Sequence, residues 1–71
     1  MIVYESDLKK NAISEMQDCM AYLTFNDEKK AHQCYGQAIA YENMLLDEGI
    51  DLEAENKHYR EMKEIYLEKT T

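Results

Sequence analysis

Residues 21–31, Ala-Tyr-Leu-Thr-Phe-Asn-Asp-Glu-Lys-Lys-Ala, decide how this chain folds. Apolar residues recur at helical spacing on both sides, and Thr24, Asn26 and Asp27 interrupt them. Their short polar side chains bond nearby backbone N–H groups, which favours caps and turns over helix interiors. A break this short makes its two flanking helices antiparallel neighbours. The expectation is a helical hairpin turning at Thr24–Asp27, with Asn26 as the N-cap of the second helix and Phe25 as its hydrophobic staple.

Toward the N-terminus, the spacing predicts a first helix from Ser6 or Asp7 to Leu23. Ser6 suits the N-cap, and Asp7 suits the positive helix start. At about 100° per residue, Leu8, Ala12, Ile13, Met16, Cys19, Met20 and Leu23 share one stripe. Lys10, Asn11, Ser14, Gln17 and Asp18 fall opposite. Residues 1–5 hold Ile2, Val3 and Tyr4, read as a short extended arm because three β-prone residues cannot form a sheet alone.

Toward the C-terminus, a second helix spans about Asp27 to Glu48, and Gly49 follows where positive φ is cheap. Its stripe is Ala31, Cys34, Tyr35, Ala38, Ile39, Tyr41, Leu45 and Leu46. Gly36, Ala40 and Met44 lie on the far side, so this helix reads as apolar or small nearly all round and as the central, most buried element. A third helix starts at an Asp51 cap and continues to about Glu68. Its stripe is thin: Leu52, Tyr59 and Tyr66, with Met62 and Ile65 beside them. Glu53–Lys57–Glu61 and Arg60–Glu64–Glu68 form i,i+4 ladders. A helix with so little apolar surface leans on the hairpin or pairs with another chain. The expected fold is all-α: one domain over residues 1–71, an antiparallel hairpin plus a third amphipathic helix.

Seventy-one residues bury too small a share of their surface for a generous stability, and natural domains of this size often add a second subunit. Two cysteines cannot build a disulfide framework, so a homo-oligomer is expected. Eight bases against fifteen acids give a net charge of −7. That balance argues against direct nucleic-acid binding and against anionic membrane surfaces. No apolar run approaches a bilayer span, and the first residues lack the pattern of a signal peptide. With Cys19 and Cys34 read as free thiols, a reducing, cytoplasmic setting is expected.

Little here points to catalysis. The chain has no glycine-rich phosphate loop, no serine elbow and no histidine pair at metal spacing. Cys19 or Cys34 with His32 or His58 could form a thiol–imidazole pair, but both cysteines project onto apolar stripes, where the residue packs as a small hydrophobe. Cys19, Cys34, His32 and Glu42 could converge across the hairpin, yet they lack the short paired spacing of a structural zinc site. No enzyme activity, metal or cofactor is expected. A Cys19–Cys34 disulfide is disfavoured by the separation of packed helix axes.

Glu42 is out of place in the middle of an apolar stripe. A buried carboxylate needs a partner, here a tyrosine hydroxyl, a Lys, His58, or a base from another protein. It opens a run, Glu42–Asn56, that holds six acids (Glu42, Asp47, Glu48, Asp51, Glu53 and Glu55) and no base. Six of the seven aromatics are tyrosine, a residue favoured where one end stays wet and at interfaces. The candidate contact surface is therefore Glu42, Asp47, Glu48, Asp51, Glu55, Tyr59, Met62 and Tyr66, and its candidate partner is a protein with a basic surface. The chain is similar in size and charge, though in no motif, to compact acidic proteins that block restriction, CRISPR or transcription proteins, often phage-encoded. That likeness implies a regulator or inhibitor whose carboxylates stand in for nucleic-acid phosphates. A self-associating structural bundle is the alternative.

Overall fold

A computed structural model describes residues 5–70. The expected N-terminal arm lies outside the described residues, except Glu5, which is already helical. Four helices follow in order: α1 (Glu5–Thr24), α2 (Glu28–Asp47), α3 (Leu52–Glu55) and α4 (Lys57–Thr70). Ser6 therefore sits inside α1 and does not cap it.

The turn lies where the polar break puts it, but its residues divide the work differently. Asn26 adopts φ 61°, the left-handed conformation that Asn tolerates better than most residues. It closes α1: the Asn26 and Asp27 N–H groups donate to the Leu23 and Tyr22 carbonyls at 3.1 and 2.8 Å. Asp27 is the N-cap of α2, accepting from the Lys30 N–H. Phe25 is 77% exposed and staples nothing.

α2 ends as its glycine requires. Gly49 has φ 81°; its N–H donates to Leu46 O and that of Ile50 to Leu45 O, both at 2.9 Å. This is a Schellman closure. Asp51 then caps α3 as expected, its side chain accepting from the Ala54 N–H at 3.2 Å. The expected continuous third helix is broken at Asn56, whose backbone is extended. Its side chain accepts from the Tyr59 N–H at 2.9 Å and so starts α4. The amide competes with the backbone ladder and wins. The break also dissolves the Glu53–Lys57 register.

α1 and α2 pack as the antiparallel hairpin, and α4 packs against it, its backbone nearer α1. The buried core is Ala12, Met16, Cys19, Ala31, Ala38, Leu45, Leu52, Tyr59, Met62 and Tyr66. α2 is not buried all round: Gly36, Ala40 and Met44 face solvent. Small residues allow burial without causing it, and no third element among the described residues covers that side. No helix among the described residues is long and apolar enough to cross a membrane.

Candidate functional site

Two groups of acids emerge, one turned inward and one outward. The inward group centres on Glu42, only 4% exposed. Tyr59 donates its hydroxyl to Glu42 Oε1 at 2.9 Å. Lys63 Nζ reaches both carboxylate oxygens, at 3.0 and 3.1 Å, and also binds Glu53. One ammonium thus joins α4, α2 and α3. Burial pulls the Lys63 pKa down, but its bonds to Glu53 and Glu42 outweigh that and hold it above the usual lysine value. Burial, then the bond to Glu42, pushes Tyr59 well above the usual tyrosine range.

One helical turn further along α4, Tyr66 stacks on Tyr35 with ring centroids 3.8 Å apart and planes 11° from parallel. Its hydroxyl meets His32 Nδ1. Tyr59, Met62 and Tyr66, expected on a contact surface, are thus buried in the single chain, as is Glu42. A helix whose main apolar seam is three residues deep spends that seam on its own hairpin.

The outward group is what remains of the acidic run. Asp47, Glu48, Asp51 and Glu55 are exposed where α2 ends and α3 begins. α2 carries no base in its last turn, so its negative dipole end adds to these charges. Lys9 comes close from α1, binding Glu55 at 2.7 Å and Glu5 at 3.0 Å; those bonds raise its pKa. Asp47, Glu48 and Asp51 have no ion pair among the described residues.

The thiols lie elsewhere. Cys19 is fully buried, and burial pushes its pKa up to about 11. Cys34 is half-buried beside Glu15 and Asp18, and burial followed by these two acids raises it as well. Both cysteines are free. Glu15, Asp18 and Cys34 can each bring one ligand atom to within 4.8 Å of the others. Three donors are one short of a closed zinc site. Cys19, His32 and Glu42 do not join them, since His32 is turned to Tyr66 and Glu42 to Lys63.

Sequence reasoning missed Lys63 and Glu53. The signal was present: Lys63 falls four residues after Tyr59 and three before Tyr66, a lone base in α4's apolar face. No family model, curated protein or solved structure matches this chain.

Proposed function

We propose that this protein is a small acidic regulator that binds a basic surface of another protein through Asp47, Glu48, Asp51 and Glu55. The observation that carries the reading is the contrast between the two acid groups. The interior carboxylate is fully matched by Lys63 and Tyr59, whereas Asp47, Glu48 and Asp51 are exposed and meet no base among the described residues. Clustered like charges repel one another, and a basic partner relieves that repulsion while being steered to the site. Neighbouring carboxylates on a helix end resemble the spacing of phosphates along a strand, which makes a nucleic-acid-binding groove a suitable target.

The test is an affinity capture from host lysate, washed at low and high salt, with wild type and an Asp47→Lys/Glu48→Lys variant. Both positions are exposed, so the fold survives the change. A partner held by wild type at low salt and lost with either high salt or charge reversal supports the reading. A partner that the variant retains equally well overturns it.

Self-association is a second reading, favoured by one feature. Gly36, Ala40 and Met44 form an exposed stripe along α2, and a Cβ on Gly36 would meet nothing within 4 Å. Small residues at this spacing let a second helix approach closely. Light scattering decides it: a dimer mass for wild type and a monomer mass for Ala40→Glu would support that role.

A further inference from the structure

Beside the acidic end, Glu5, Leu8, Leu45, Glu48 and Ile50 line a hollow of about 100 Å³. Its floor is apolar, from α1, the end of α2 and the residue after Gly49. Its rim is anionic on two sides. We propose that this hollow receives a single lysine side chain from the partner, the stem lying on Leu8, Leu45 and Ile50 and the ammonium reaching Glu48 and Glu5. The inference rests on the reading that the acidic end binds a basic protein surface, and it names the chemistry that the surface must present.

Charge and shape both select this occupant. Lysine buries its four-carbon stem along apolar surface while keeping its charged tip polar. An apolar floor alone would suit any aliphatic side chain, and an acidic rim alone any cation; only a long-stemmed cation uses both. The α2 C-terminus adds negative potential at the rim, and no base in its last turn offsets it. Lys9 holds one oxygen of Glu5, so Glu48 is the principal acceptor. Arginine fits less well, because its planar fork seeks paired in-plane acceptors.

The test separates the hollow from general attraction by varying stem length at constant charge. The ¹⁵N-labelled full chain is titrated at low salt, near pH 6, with hexalysine and with a hexapeptide of diaminobutyric acid, whose stem is two methylenes shorter. The expected result is that hexalysine shifts the Leu8, Leu45 and Ile50 amides and binds about tenfold tighter than the short-stemmed peptide. Glu48→Gln should remove most of that preference. Equal affinities, with shifts confined to Asp47, Glu48 and Asp51, would overturn the hollow and leave the acidic-end reading standing. Binding by neither peptide would overturn both. Shifts at Leu8 and Ile50 on raising protein concentration alone would assign the hollow to a second copy and overturn the lysine assignment.

Discussion

Replacing Lys63 with Met keeps most of the aliphatic stem and deletes the charge, so it tests whether the inward acid is held by a pair or merely tolerated. Lys63 Nζ sits 3.0 Å from Glu42, and the two side chains are only 16% and 6% exposed. Removing one partner of a buried pair leaves a desolvated charge, which typically costs about 3–5 kcal/mol. Tyr59 still donates one hydrogen bond to Glu42, which puts the expected loss at the low end, about 3 kcal/mol. A chain of this length has roughly 4–11 kcal/mol in total, so the melting temperature should fall by about 12–24 °C. Thermal and urea unfolding followed by circular dichroism at pH 7 measures it. Adding Glu42→Gln should restore most of it, because the Tyr59 hydroxyl can donate to the neutral amide oxygen. A loss below about 1 kcal/mol, or a double variant no more stable than the single one, would refute the account of Glu42 as an internally paired charge.

Three further outcomes follow from the same geometry. Lys63 and Tyr59 hold their protons more tightly folded than unfolded, so the stability these two groups contribute is complete below about pH 10 and is lost as pH rises beyond it; urea midpoints that stay level through that range would contradict this. With Cys19 buried and raised to about 11, a thiol reagent at about pH 8 should label Cys34 first and Cys19 only on unfolding, and peptide mass mapping reads the order. The two glycines should respond with opposite signs. Gly36→Ala should stabilise by about 0.5–1 kcal/mol, because it lies exposed inside a helix, whereas Gly49→Ala should destabilise by about 1–2 kcal/mol through its positive φ; urea unfolding of each variant checks both.

Sequence periodicity carried most of the fold, because two 20-residue helices give long stripes and a hairpin turn leaves few ways to join them. Where the reading failed, the decisions were local. At Thr24–Asp27, several residues could cap, and side-chain pattern alone does not say that Asn26 takes the left-handed conformation and Asp27 the cap. At Asn56, helix propensity on both sides favoured continuity, while a single amide bonding the Tyr59 N–H was enough to restart the helix. The small residues of α2 misled in another way. Gly36 and Ala40 are compatible with burial, and nothing in the pattern of α2 itself reveals that α4 covers only the other side.

The candidate site was legible as a charge imbalance but not as two populations of acids. Telling them apart requires knowing what stands opposite each carboxylate, and the pairing Glu42–Lys63 spans 21 residues. A rule for finding it can still be drawn from the chain. Glu42 is an acid in α2's apolar stripe, and Lys63 is a base in α4's. Either alone would be a desolvated charge costing several kcal/mol, so two such misfits of opposite sign on helices that must pack together solve each other. Once Glu42 and Glu53 are assigned to Lys63, and Glu55 to Lys9, the run has Asp47, Glu48 and Asp51 left without a base among the described residues. Asp51 also caps α3, which is reason enough for its presence. Asp47 and Glu48 have no such structural task. At the dipole-negative end of α2 they work against helix stability, where Lys or Arg would have favoured it. Residues that oppose the fold at the surface, beside an apolar hollow, are the strongest reason to look for a basic partner at this end of the molecule.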